Sequence, residues 1–170
     1  NAFALPGGKV GVNTGLFQII GHNHQSDAIL AAVLGHEISH ATTDHAEQRL
    51  YRAMALIALG QVLWSSLDHN GVDHPEYSVA AFAIAAYLTD ALPFSRKQEY
   101  ESDKIGAIYM AKAGYDPRAS IELWQRLKDY HRHQGSEKPE FLRTHPHDDA
   151  RILALKQFMP TALRHYVRQP

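Results

Sequence analysis

The segment that most constrains the fold is His-Glu-Ile-Ser-His at residues 36–40, because it lies inside a long apolar stretch with helical periodicity. From Ser26 or Asp27, either of which is a good helix N-cap, apolar residues recur three or four positions apart and continue towards Leu50. Histidines four residues apart share one helix face, where both can bind a single zinc ion. The sequence therefore predicts a long, largely buried helix that carries a metal site.

Glu37 lies between these histidines but is rotated about 100° around the helix from His36. It can there reach a metal-bound water without displacing it, as the general base of an H-E-x-x-H peptidase does. Without a metal, the same residues would have to form a cluster of core histidines that satisfy one another, because three buried ionisable groups need compensation for desolvation. We expect the metal site.

A catalytic zinc ion needs a third protein ligand and an open fourth position. The metzincin pattern does not continue here, because Thr43 and Ala46 occupy the positions of its glycine and third histidine. A carboxylate from a later helix is the alternative, and residues 99–103 (Glu-Tyr-Glu-Ser-Asp) supply candidates. If Glu99 binds the metal, Asp103 lies one turn along the same face, where it can accept the N–H of a ligand histidine. Glu101 points elsewhere and is the weaker candidate.

The remaining sequence predicts one mainly helical domain of the α+β class over residues 1–170. Pro6-Gly7-Gly8 separates two β-prone stretches within residues 1–17, which predicts a small antiparallel ribbon. Pro93 is expected to end a helix, and the polar stretch from His131 to His147 is expected to be a long loop. Further helices are expected at about 50–67, 76–92, 96–113, 117–131 and 150–158.

Composition excludes several classes of protein. The 17 basic and 18 acidic residues give a net charge of −1, which provides no footprint for nucleic acid, and the absence of cysteine excludes disulfides and thiolate chemistry. The uncharged run Ala53–Leu67 is shorter than the roughly 20 residues of a membrane span. We therefore expect it, and the apolar stretch Tyr77–Thr89, to be core helices, with peripheral membrane contact as the alternative. The chain begins at Asn1, so an upstream segment is expected to be missing.

Four segments in order resemble metallopeptidase family forty-eight. They are Asn1–Val10 with Thr14–Leu16, Ala32–Ala41, Ser95–Asp103, and Thr144–Pro146 with Arg151–Ile152. The chain is most similar to the bacterial envelope branch that includes BepA, YcaL and LoiP, which is related to the Oma-type protease and, more distantly, to HtpX and the CAAX prenyl proteases. The resemblance implies a gluzincin-type zinc metallopeptidase domain with the ribbon beside the H-E-x-x-H helix. It assigns one zinc ion to His36, His40 and Glu99.

The resemblance also implies that His145 and Arg151 stabilise the oxyanion of the tetrahedral intermediate. Two arrangements of His145 fit the sequence. Its imidazole either binds zinc at rest, which would make the enzyme self-inhibited, or donates a hydrogen bond only to the oxyanion. We expect direct or near-direct contact with the metal in the absence of substrate.

The expected activity is that of a zinc-dependent endopeptidase of the bacterial periplasm or envelope, anchored to a membrane through the upstream segment. Its expected partners are polypeptides, above all unfolded or misfolded envelope proteins, and not nucleic acid. The alternative function is a chaperone-like binding module whose zinc site is latent or structural.

Overall fold

The computed structural model describes residues 1–5, 7–23, 25–134, 141, 144–145 and 149–167. The chain forms two compact units, the first of Asn1–Thr43 and Glu99–Pro170 and the second of Asp44–Gln98. The described residues are mainly helical and include a two-stranded sheet, which confirms the predicted fold class. Most of the predicted loop from His131 to His147 lies outside the described residues.

In the first unit, β1 (Ala2–Leu5) and β2 (Lys9–Val12) form the predicted antiparallel ribbon, with Ala2 opposite Val12. Gly7 and Gly8 both have positive φ, which glycine adopts without a steric penalty. A 3₁₀ turn (Thr14–Leu16) and the short helix α1 (Phe17–Ile20) follow the ribbon. Ala2, Leu16 and Ile20 are buried, so this N-terminal region contributes directly to the core.

The first unit also contains α2 (Ser26–Thr42), the part of α5 from Glu99 onward, α6 (Ala119–Gln134) and α7 (Asp149–Leu163). These helices enclose one apolar core, whose buried members include Ile29, Val33, Met110, Leu123, Trp124, Leu127 and Leu155. The helix α2 ends before the expected Leu50, because Asp44 adopts a left-handed conformation with φ of 54°. The last helix continues through Pro160, where burial of Met159 and Ala162 offsets one lost hydrogen bond.

The second unit contains α3 (His45–His69), α4 (Pro75–Ala86), a π-helical segment (Tyr87–Ala91) and the start of α5 (Leu92–Lys112). The helices α3 and α4 pack against each other as a hairpin. Arg52 of α3 forms an ion pair with Asp90 at 2.6 Å, and its guanidinium lies 3.7 Å from the centroid of the Phe94 ring. These contacts define the base of the hairpin.

The prediction that Ala53–Leu67 and Tyr77–Thr89 are core helices is wrong. Only 6% of the most apolar window of each helix is buried among the described residues, and α4 contains no buried residue. The error arose from the apolar pattern of these helices. A helix that is apolar on all sides is shielded from water, but the pattern does not reveal whether protein or lipid shields it.

Pro93 does not end the helix as predicted. The segment Pro75–Lys112 is continuous, and the π-helical turn lies immediately before Leu92-Pro93. Proline is tolerated there because it falls in the first turn of α5 and because a π turn changes the register of the backbone hydrogen bonds. A proline signal in the sequence could not reveal this local change of helix type.

Candidate metal centre

Four buried side chains meet in the first unit at one point. They are His36 and His40 from α2, Glu99 from α5, and His145, and each offers a ligand atom within 4.8 Å of the others. The Nε2 atoms of His36 and His40 lie 3.2 Å apart, as i, i+4 residues on one helix face can. Glu99 approaches both, with its Oε2 at 3.3 Å from His36 Nε2 and its Oε1 at 3.3 Å from His40 Nε2.

His145 completes this group through its Nδ1 atom. That atom lies 3.2 Å from His36 Nε2 and 3.0 Å from Glu99 Oε2. Ligands about 2.0–2.1 Å from a tetrahedral zinc ion are separated from one another by roughly 3.3 Å, as the geometry of a tetrahedron requires. The separations of 3.0–3.3 Å are close to that value, and all four ligand atoms lie within 4.8 Å of one another, so the three histidines and Glu99 have the chemistry and the spacing that suit one zinc ion.

A second set of contacts supports these four residues. The Asp103 carboxylate lies one turn beyond Glu99, and its Oδ1 is 3.1 Å from His36 Nδ1. Arg151 donates from Nε and Nη2 to the two oxygens of Asp103, both at 2.8 Å, and its Nη1 lies 3.1 Å from Glu99 Oε2. The structure therefore places the Asp103 carboxylate against the Nδ1 side of His36.

Arg151 lies behind the carboxylates and is only 1% exposed. Its guanidinium carbon lies 4.0 Å from the centroid of the Trp124 ring, and Trp124 Nε1 donates to Asp103 Oδ1 at 3.2 Å. The guanidinium is thus engaged with Asp103, Glu99 and an aromatic face at the same time. This arrangement favours a role in positioning the two carboxylates over donation to an oxyanion.

Glu37 is also brought into the site. Its Oε1 lies 3.2 Å from His145 Nε2, so the two nitrogens of His145 face Glu37 on one side and the ligand group on the other. Glu37 is 1% exposed. Burial raises the pKa of its carboxyl, but the contact with His145 and the charges of His145, His36 and His40 together outweigh burial and lower that pKa. Glu37 is therefore ionised at neutral pH, as a general base requires.

The buried carboxylates of the cluster need positive charge nearby to balance their negative charge. Burial raises the pKa of Asp103, yet Arg151 and His36 hold it below the usual range, and the histidines do the same for Glu99. Glu37, Glu99 and Asp103 are then three buried negative charges against the single fixed positive charge of Arg151. The remaining positive charge must come from protonated histidines, since the pKa values of both His36 and His145 are raised, or from a bound divalent metal ion.

Burial and the neighbouring carboxylates also shift the pKa values of the histidines. Burial lowers the pKa of His36, but the contacts with Asp103 and Glu99 overcome it and raise the pKa to about 9. Burial dominates at His40, whose pKa falls to about 4 despite the contact with Glu99. Without a metal, a proton on His36 supplies part of the missing positive charge.

Three supports of the site were not predicted from the sequence. Trp124 and Phe141 are both 1% exposed, and the Phe141 ring lies 4.7 Å from that of His145. Gly35 and Gly106 form the third support, because a Cβ on Gly35 would lie 2.7 Å from the Gly106 carbonyl oxygen. This close crossing brings α2 against α5 next to His36. Gly35, directly before His36, could have indicated this crossing, because a glycine inside an apolar helix often marks a close approach of two backbones.

Glu101, the weaker candidate for the third ligand, is exposed and lies outside the cluster of potential ligands. All seven residues predicted for the site, His36, Glu37, His40, Glu99, Asp103, His145 and Arg151, lie within one network of contacts.

Residues 1–159 match the sequence profile of peptidase family M48. The chain is 35% identical over 162 residues to mitochondrial metalloendopeptidase OMA1 of Schizosaccharomyces pombe, covering 95% of this chain and 44% of that protein. It is 36% identical over 172 residues to mitochondrial metalloendopeptidase OMA1 of Homo sapiens, covering 96% of this chain and 31% of that protein.

A putative beta-barrel assembly-enhancing protease of Vibrio cholerae is 35% identical over 160 residues, which cover 89% of this chain and 31% of that protein. The chain thus spans less than half the length of these relatives. No solved structure matches it significantly.

Proposed function

The chain belongs to peptidase family M48, and from that membership and the buried cluster of three histidines and a glutamate we propose that it is a zinc-dependent endopeptidase. The observation that carries the proposal is the set of ligand separations of 3.0–3.3 Å, which suits one tetrahedral ion. His36, His40 and Glu99 would hold the zinc ion, about one per chain.

A zinc ion bound there would polarise the scissile carbonyl and lower the pKa of a water molecule. The protein's own contribution begins with Glu37, whose carboxylate accepts the proton of the attacking water and returns it to the leaving amine. The lowered pKa of Glu37 keeps the carboxylate ionised for the first of these transfers. The Asp103 carboxylate lies 3.1 Å from His36 Nδ1, and this charged contact holds the ring with Nε2 towards the metal position.

Arg151 acts in this proposal as a positioning residue. Its bidentate pair with Asp103 and its contact with Glu99 hold both carboxylates in one orientation. The oxyanion role that the family resemblance implied for Arg151 receives no support from this placement. Oxyanion donation by His145 is the alternative to a blocking role, and the His145→Ala variant separates the two.

In this proposal, the position of His145 makes the described arrangement a closed, inactive state of the enzyme. Its Nδ1 takes the fourth place among the ligands and its Nε2 engages Glu37, so that both the water position and the base are occupied. We therefore expect cleavage to require withdrawal of His145, which is a local opening step of the kind that often limits enzyme turnover. This same closure is the observation that favours the second candidate function, a chaperone-like module with a latent zinc site.

Substrates in this proposal are polypeptides, as the family implies, and the beta-barrel assembly-enhancing relatives favour unfolded or misfolded proteins of a bacterial envelope or periplasm. The proposal treats residues 1–170 as one catalytic domain, and a family match that runs through residues 1–159 of both compact units supports it. The ribbon gives an extended substrate an edge to join as an added strand, which would supply main-chain affinity with little sequence preference.

Zinc content and casein cleavage, measured on the same sample before and after chelation, test the two functions. The proposal expects about one zinc per chain and cleavage that disappears on chelation and returns with added zinc. Zinc without any cleavage, combined with suppression of aggregation of an unfolded protein, would favour the chaperone-like module. Cleavage that survives complete removal of metal would rule out the proposed mechanism.

A further inference from the structure

The hairpin of α3 and α4 exposes apolar side chains along its whole length. We define the apolar hairpin as residues 53–67 and 77–89, the two stretches without a charged residue. Ile57, Val62 and Ile84 are exposed by 62–68%, and their neighbours Met54, Leu59, Tyr77, Tyr87 and Leu88 are exposed by more than half. Exposed apolar surface of this extent marks a site of interaction.

Charged residues bound the apolar hairpin at both ends. At the base lies the ion pair between Arg52 and Asp90. At the tip, Asp68, Asp73 and Glu76 surround the turn, and His74 Nδ1 lies 2.9 Å from Glu76 Oε1. At 1.5 Å per residue, the uncharged stretches measure only about 20–22 Å, less than the roughly 30 Å of a hydrocarbon core. A spanning arrangement would therefore draw charges into the hydrocarbon.

The groove between α3 and α4 is better suited to lipid acyl chains than to a protein surface of fixed shape. It has a volume of about 860 Å³ and is lined by apolar and small residues, among them Gly60, Trp64, Val79 and Phe82. Its two long walls offer few polar groups, whereas protein interfaces usually carry about one hydrogen bond per 100–200 Å². Acyl chains can fill an irregular apolar groove without a complementary shape. Trp64 and Tyr77 near the tip, and Tyr87 near the base, are the residue types that favour a lipid–water interface.

The charged residues around the apolar hairpin indicate which lipid headgroups it can approach. Between Ala53 and Ser95 there is no lysine or arginine, whereas there are four acidic residues, Asp68, Asp73, Glu76 and Asp90. Most interfacial helices bind anionic lipids through basic residues. The tip of this hairpin lacks them, because the basic residues of α3, Arg49 and Arg52, lie towards its base, so anionic headgroups would repel the tip.

We propose that the apolar hairpin docks on a zwitterionic phospholipid bilayer and lies flat in one leaflet, with its base and tip both at the headgroups. A helix about 10–12 Å in diameter fits the headgroup and acyl boundary of a single leaflet. The inference is independent of the protease activity, because none of its residues belongs to the metal centre.

Flotation of the whole chain with phosphatidylcholine vesicles tests the docking. We expect the protein to float, and we expect the bound fraction to be unchanged by salt and not increased by phosphatidylglycerol. Ile57→Glu with Ile84→Glu should lower partitioning at least about tenfold. Leu153→Glu is the matched control, because Leu153 of α7 is 57% exposed, and it should float like the parent protein. Failure to float, or equal flotation of the double variant, would overturn the proposal.

Labelling a thiol at the tip tests how deep the docked hairpin lies in the bilayer and how it is oriented. The chain has no cysteine, so Asn70→Cys introduces a single thiol in the turn between α3 and α4. On sealed vesicles with protein added outside, the proposal expects full labelling by a membrane-impermeant maleimide, whereas a protected thiol would show that the hairpin spans the bilayer. Self-association that is lost in the Ile57→Glu and Ile84→Glu variant, without any flotation, would instead identify a second copy of the chain as the occupant and refute lipid docking.

Discussion

Replacing Arg151 with leucine would remove the only guanidinium that the described residues place against Asp103 and Glu99. The parent side chain makes two hydrogen bonds of 2.8 Å to Asp103 and one contact of 3.1 Å to Glu99, and it is almost completely buried. Its loss leaves two buried carboxylates without their permanent counter-charge. Breaking a buried pair in this way costs about 3–5 kcal/mol of unfolding free energy.

The assay is urea unfolding of the chelated protein, followed by zinc titration against a chromogenic chelator. Because Asp103 and Glu99 lose their orientation, we expect zinc affinity to fall by about 10–100-fold in the Arg151→Leu protein. Arg151→Lys keeps the charge but loses the bidentate geometry, so it should give intermediate values of both quantities.

Arg118→Leu is the control, since Arg118 makes its pair with Asp116 at the protein surface and neither residue is among the potential metal ligands. It should change neither unfolding nor zinc affinity measurably. A loss of stability below about 1 kcal/mol in Arg151→Leu, with zinc affinity unchanged, would refute the positioning role and reopen the oxyanion role.

Three further predictions concern the same centre. Glu99→Ala should remove most of the bound zinc whereas Glu101→Ala should not, as measured by metal analysis, and the reverse result would mean that the assigned ligand is wrong. Gly35→Ala should destabilise the protein by about 1–3 kcal/mol in urea unfolding, because its Cβ would meet the Gly106 carbonyl at 2.7 Å, and a neutral result would argue against the close helix crossing. His145→Ala should retain about one zinc per chain and cleave casein faster than the parent, because it frees the fourth position, whereas a fall of about 10²–10³-fold would indicate an oxyanion donor instead.

Local chemistry made much of the fold predictable. Pro6-Gly7-Gly8 predicts the turn of the ribbon because few residues other than glycine adopt positive φ, and the spacing of His36 and His40 predicts a shared face because helix geometry is regular. The same regularity places Asp103 one turn from Glu99. The predicted ribbon and the mainly helical α+β class are confirmed, while the roles of the site residues stay predictions.

Features that depend on distant neighbours were not predictable. The periodicity of residues 53–67 indicates an apolar environment, but it carries no information on what covers that surface. The contact of Trp124 with Asp103 and the stacking of Arg151 on Trp124 depend on how α5, α6 and α7 pack together. A pattern read along one helix cannot contain that arrangement.

Glu37→Gln tests whether Glu37 acts on a water molecule activated at a zinc site. The substitution keeps the size of the side chain and removes its basicity, so it should leave about one zinc per chain and abolish cleavage of casein. We expect the zinc content of the variant to equal that of the parent protein, and its cleavage not to exceed that of the chelated protein. Cleavage at the parental rate by the zinc-loaded Glu37→Gln protein would contradict this role of Glu37.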